Sequence, residues 1–224
     1  MDLVGAVDLL SNKRIRFTQL KQFEDGFEGR TSEAEREEKR KQEEAEGLST
    51  SHHNSMTEFT ETINRELTFA SCWTLNHPQN MLMWSIYAPD KHSVAVETTV
   101  GKLIESAGYE QPEILIGRTS YGDRITGINN WFNQFAAVWS KWNYYEHENE
   151  VRLITNTLSM SAVPELANIN SSDKHIYLPM AANPIQKIYA SPRMSEDSFK
   201  TISGIIRRTE SGLELSLSGI HLNP

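Results

Sequence analysis

Tyr145-Glu146-His147-Glu148-Asn149-Glu150-Val151-Arg152-Leu153-Ile154 is the densest run of chemically capable side chains in the protein. Drawn as a strand, it sends alternate side chains to opposite faces, so Glu146, Glu148, Glu150 and Arg152 share one face while Val151 and Leu153 point to the other. Carboxylates two residues apart on a strand stand roughly 7 Å apart, close enough to raise each other's pKa or to flank a small polar ligand. The plainer alternative is an amphipathic strand whose charged side only meets water.

Working outward, Trp131, Phe135, Val138 and Trp142 recur at helical spacing, widened by Phe132 and Trp139, and predict a core helix leading into this strand. Earlier, Val4 to Leu10 reads as a short opening helix ended by Ser11-Asn12, and Lys13 to Thr18 as a strand with Ile15 and Phe17 on one face. Met56 to Leu67 predicts a helix with Phe59, Ile63 and Leu67 inward, followed by a strand over Thr68 to Thr74. Pro78 opens a helix carrying Met81, Leu82, Trp84, Ile86 and Tyr87, and a strand at Val94 to Val96, a helix over Val100 to Ala107 and an apolar strand over Glu113 to Gly117 follow. Beyond the central stretch come a turn of helix at Val163 to Ala167, short strands at His175 to Leu178 and Ile185 to Ala190, a helix capped by Ser195, and a last strand over Leu213 to Ile220. Helices and strands interleave without a βαβ rhythm or a repeat. That order predicts one α+β domain over residues 1–224, with a twisted, largely antiparallel sheet and packed helices.

Residues 32–55 stand apart. From Glu33 to Glu46 there are seven acids and four bases and no apolar stripe, so this segment reads as an exposed helix, with Ser49 to Ser55 as a loop. The loop carries His52 and His53, but no third ligand lies at metal-site spacing, and no metal is expected. The charged run supplies −3 of the formal net charge of −8. The remainder has no excess of Lys and Arg for neutralising phosphates, which disfavours sequence-independent binding to duplex nucleic acid. Cys72 is the one cysteine, so no intrachain disulfide and no Cys-rich zinc site exists; this suits a reducing cytoplasm. No apolar run approaches the roughly 20 residues that cross a bilayer.

An ordered set of motifs resembles the uncharacterised bacterial family called domain of unknown function 2971. Leu9-Leu10 through Arg16-Phe17 is similar to its opening helix and strand. Phe23 to Glu28 is similar to its Asn-Asp-Pro-Phe-Glu loop, with Asp25, Phe27 and Glu28 matching, Gly26 for the proline and Glu24 for the asparagine. Ser71 to Thr74 with Met83-Trp84 and Tyr87, Val94 to Glu97, Glu148-x-Glu150-x-Arg152, and Ile185 to Pro192 complete the likeness. The family's additional first strand, with a Tyr-Lys-Tyr type motif, would precede the matched residues, and 32–47 looks like an insertion.

A Glu-x-Glu pair on one strand, a hydroxyl residue on a neighbour and a basic or aromatic residue on the first strand also resemble the plan of ADP-ribosyltransferases. That likeness implies an NAD-dependent ADP-ribosyltransferase or NAD glycohydrolase, serving as a toxin or phage-defence effector, with NAD as substrate. Breaking the nicotinamide–ribose bond builds positive charge on the sugar, and a carboxylate stabilises it. Glu150 is implied in that role, with Glu148 to orient or deprotonate an acceptor, Arg152 or Arg16 to hold a diphosphate, Ser71 in support, and Trp84 or Tyr87 to stack on a flat ring. Two other classes stay open: a non-catalytic regulatory module that binds a protein partner through its acidic face or 32–47, and a Mg²⁺-dependent hydrolase or nuclease using Asp25, Glu28, Glu148 and Glu150.

Overall fold

A computed structural model describes residues 1–47, 50–76, 80–88, 90–108, 112–122, 136–161 and 166–220. In chain order the elements are α1 (Leu3–Asn12), β1 (Arg14–Gln19), α2 (Glu33–Ala45), α3 (Thr50–Glu66), β2 (Thr68–Thr74), α4 (Met81–Tyr87), β3 (Val94–Glu97), α5 (Val100–Ala107), β4 (Leu115–Arg118), β5 (Ser120–Tyr121), β6 (Ser140–Lys141), β7 (Glu150–Asn156), α6 (Thr157–Met160), β8 (His175–Pro179), β9 (Lys187–Ala190), α7 (Glu196–Thr209) and β10 (Leu215–Ser216), with 3-10 turns at Leu20–Gln22, Ala136–Trp139 and Asn143–Glu148. The fold is α+β, as its interleaved pattern predicts, and its largest sheet is twisted and antiparallel where β1 meets β2, β2 meets β7 and β4 meets β7. Among the described residues no helix is long and apolar enough to cross a membrane.

The chain forms two compact units. The first comprises Met1–Arg16, Asn76–Tyr109 and Tyr177–Pro224. Its three-stranded sheet has the order β10-β9-β3, parallel between β10 and β9 and antiparallel between β9 and β3. Local chemistry sets its helix ends. Asp2 accepts from the Gly5 N–H to start α1, Lys13 at φ 49° ends it, Asn80 accepts from the Leu82 and Met83 N–H groups to start α4, and Ser195 accepts from the Ser198 N–H to start α7. Pro78, the expected opener of α4, lies outside the described residues, and the last strand is only the two residues of β10.

The second unit comprises Phe17–Leu75 and Glu110–Ile176. It carries β4, β7 and β2, hydrogen-bonded in that order, and its core on one face gathers Leu20, Ala70, Val138 and Ile154, with Phe23 and Trp139 against them. Three expectations need correction here. Helix α3 starts at Thr50, so residues 50–55 are helical where a loop was expected, and Phe59 is 60% exposed because the face of α3 that turns inward carries Thr57 and Asn64. Of the expected Trp131–Trp142 helix, residues 131–135 lie outside the described residues, and the remainder is a 3-10 turn followed by β6. The central strand begins at Glu150. Residues 143–148 wind as a 3-10 turn that Asn149 ends at φ 43°, so Glu146 and Glu148 precede the strand. Residues 162–165 of the expected turn at Val163 to Ala167 also lie outside the described residues.

Gly117 on β4 stands opposite Arg152 on β7, and a Cβ there would come within 2.8 Å of Trp139 Cζ3. The indole packs flat on the strand because glycine leaves it room. Gly117→Ala should therefore cost about 1–3 kcal/mol through overpacking, read as a lower urea midpoint at unchanged m-value.

Candidate functional site

Strand register decides which side chains meet. In the antiparallel pair of β2 and β7, Thr74 faces Glu150, Cys72 faces Arg152 and Ala70 faces Ile154, while Ser71 faces Leu153. Directly opposed residues share a sheet face, so Cys72 and Thr74 lie on the Glu150 and Arg152 face and Ser71 lies on the other. Ser71 is buried there, accepting from the Trp73 indole N–H at 3.2 Å. Its expected supporting role beside Glu150 is thus corrected: one step along a strand reverses the face.

On the Glu150 face, five charged side chains from three segments interlock, none more than 6% exposed. Arg152 donates from Nε and Nη2 to Glu150 Oε2 at 3.0 and 2.8 Å, and from Nη1 to the Val138 carbonyl at 2.7 Å. Its Nη2 also pairs with Glu28 Oε2 at 2.7 Å. Lys141 Nζ reaches the other Glu28 oxygen at 3.1 Å and donates to Glu148 Oε2 at 2.7 Å, with the Tyr145 ring centroid 4.6 Å away. The result is an alternating row, Glu148, Lys141, Glu28, Arg152, Glu150, with Glu28 shared by both cations. Arg152, expected to hold a diphosphate, spends its donors on the protein itself and is fully buried.

Segments flanking the row hold it in place. The Thr119 hydroxyl donates to Glu150 Oε2 at 3.3 Å, and the Thr119 N–H donates to the Glu150 carbonyl at 2.9 Å. The Glu150 N–H donates to the Tyr121 hydroxyl oxygen at 2.8 Å, and the Thr74 hydroxyl donates to the Glu148 carbonyl at 2.6 Å. Arg65 on α3 donates to the carbonyls of Gly26 and Glu28 at 2.7 and 2.9 Å, which fixes the loop that brings Glu28 in.

The electrostatics follow from burial set against pairing. Burial alone would raise the Glu150 carboxyl, but the charge and hydrogen bonds of Arg152, with help from the Cys72 thiol and Lys141, hold it below the ordinary carboxylate range. For Glu28 burial wins over Arg152 and Lys141, with Glu150 adding to it, and the pKa is raised. Arg152 and Lys141 are both raised, because the acids around them outweigh the desolvation of their charges. Cys72 has exposed surface, yet dense packing around its sulfur and then the Glu150 charge push the thiol well above its ordinary range.

Arg16, Trp84 and Tyr87 belong to the first unit, whereas the ion row lies wholly in the second. Arg16 is exposed, Trp84 is 7% exposed as a core residue of α4, and Tyr87 is 48% exposed. The carboxylates that a Mg²⁺ site would draw on, Glu28, Glu148 and Glu150, do converge, but upon Lys141 and Arg152. Asp25 is buried with Oδ1 accepting from the Phe27 N–H at 2.9 Å. Among the described residues no group of three or more His, Cys, Asp or Glu side chains is arranged to hold a metal ion.

Sequence reasoning missed Lys141, Thr119 and Tyr121. A signal existed for Lys141: a lysine inside the apolar run Ala136 to Trp142 has to be partnered if that run is buried. No family model matches the chain, and neither a curated protein nor a solved structure matches it.

Proposed function

We propose that this chain is an NAD-using glycohydrolase or ADP-ribosyltransferase of the bacterial cytoplasm, acting as a toxin or phage-defence effector, in which Glu150 is the carboxylate that meets the ribose. One observation carries the reading. The three hydrogen bonds from Arg152 and Thr119 all fall on Glu150 Oε2, and Oε1 takes none of them. An anchored, ionised carboxylate whose other oxygen takes none of these three bonds suits a ribose hydroxyl. Access is offered on β2, where Cys72 and Thr74, on the same sheet face, are exposed.

In this reading the bond from the ribose anomeric carbon to the nicotinamide nitrogen breaks, and nicotinamide leaves with the electron pair. Glu150 stabilises the charge left on the sugar until water or an acceptor nucleophile adds and gives up its proton. Glu148, held by Lys141, is the residue nearest in sequence to orient that nucleophile. Nicotinamide release from NAD by the purified protein tests this. Glu150→Gln, folded by circular dichroism, should lose about 100-fold or more of the rate.

A second reading is a non-catalytic module that binds a protein partner. It is favoured by the closure of the ion row, whose members pair with one another while Lys41 on α2 is exposed. Absence of release and of NAD binding would favour it over the first.

A further inference from the structure

We propose that Glu28 is the positioning residue of this site, the shared partner through which the loop at residues 25–29 sets the aim and charge of Glu150. The inference rests on the NAD reading for its purpose and on geometry for its substance. Glu28 is 1% exposed and is the one carboxylate of the row that touches both cations, Lys141 Nζ at 3.1 Å by one oxygen and Arg152 Nη2 at 2.7 Å by the other. That same Nη2 is 2.8 Å from Glu150 Oε2, so Glu28 and Glu150 share one guanidinium nitrogen.

The groups facing Glu28 are Lys141 from β6 and Arg152 and Glu150 from β7, with Asp25 in its own loop and Arg65 of α3 holding its carbonyl. Two cations meet three carboxylates, Glu28, Glu148 and Glu150. If Glu28 moves or loses its charge, the Arg152 Nη2 that it shares is left to Glu150 alone. The loop is built to report on its surroundings, because Phe27 beside Glu28 is 56% exposed, edge-on to Trp142 with centroids 5.7 Å apart. A ligand or partner pressing on Phe27 would move its neighbour.

Cys72, the single cysteine, supplies the readout, since it stands opposite Arg152 on the neighbouring strand and its thiol is pushed up by burial and then by the Glu150 charge. The pH midpoint of its reaction with an alkylating reagent is measured in wild type, Glu28→Gln, Glu150→Gln and the double variant. Glu28→Gln should lower the midpoint by about half a pH unit or more, because Arg152 then neutralises Glu150 more fully and the smaller direct push of the Glu28 charge on the thiol is gone. In the Glu150→Gln background the same change should move it by less than half as much. Glu28→Asp, which keeps the charge, should return the midpoint most of the way to wild type.

Equal shifts in both backgrounds, or no shift, would overturn the positioning role. A purely structural Glu28 would lower the melting temperature and leave no dependence on Glu150. Should Glu28→Gln fail to fold, the cycle is read with Glu28→Asp, whose shorter reach should give a small shift that vanishes with Glu150→Gln. No turnover is needed. An intact cycle without nicotinamide release would sink the NAD reading alone, and release without the cycle would sink the positioning role alone.

Discussion

Replacing Arg152 with alanine should destabilise the protein by about 3–5 kcal/mol, the usual cost of leaving a buried ion partner uncompensated. The arginine is fully buried and serves Glu28, Glu150 and the Val138 carbonyl at once. Its removal strands two carboxylates and one carbonyl that it had paired. Arg152→Lys should recover little, because a single ammonium cannot reproduce a planar fork that reaches both carboxylates and the carbonyl. Adding Glu28→Gln and Glu150→Gln to Arg152→Ala should recover much of the loss, since the stranded charges are then gone. Urea unfolding of these three variants beside wild type checks this, and a loss under about 1 kcal/mol for Arg152→Ala would mean that the row is solvated.

Lys141→Met should cost about 3 kcal/mol at neutral pH by the same mechanism, and its cost should depend on pH in a stated direction. Methionine matches the length of the lysine stem but leaves Glu28 and Glu148 without their ammonium. Glu28 is already raised by burial in the wild type, and losing a cation raises it further. For a carboxyl whose folded pKa exceeds its unfolded value, ionisation favours the unfolded chain, so the penalty is present at high pH and fades as pH falls towards the unfolded value of about 4.3. The difference between wild type and Lys141→Met should thus be smaller at pH 5 than at pH 8 in urea midpoints. Glu150 behaves oppositely in the wild type. Its lowered pKa gives stability that is present above the unfolded value and lost as pH falls through the folded one.

The fold class was legible because alternation and helical spacing report burial directly. β2 falls at Thr68–Thr74 as its pattern predicts, and α7 is bounded by its Ser195 cap and its basic last turn. The site was legible only in part. Glu150 and Arg152 were singled out by their spacing, but Glu148 was placed on the strand because periodicity cannot show a left-handed residue such as Asn149 that ends a turn there. Ser71 is implied in support of the site by the transferase likeness, and strand register, which a single sequence does not reveal, puts Cys72 and not the serine beside Arg152. Lys141 was hidden by its aromatic neighbours, whose spacing suggested a helix where a short strand places the ammonium between Glu28 and Glu148. Interactions between segments more than a hundred residues apart, such as Glu28 with Arg152, come from topology rather than from local pattern.

The account turns on Glu150 being where NAD engages the protein, and amide chemical-shift mapping during an NAD titration of the isotope-labelled chain tests it most directly. The account predicts shifts concentrated at Cys72, Thr74, Thr119, Tyr121 and Glu150, reduced or abolished in Glu150→Gln. Shifts confined to α2 and α3, or a spectrum unchanged at millimolar NAD, would contradict it.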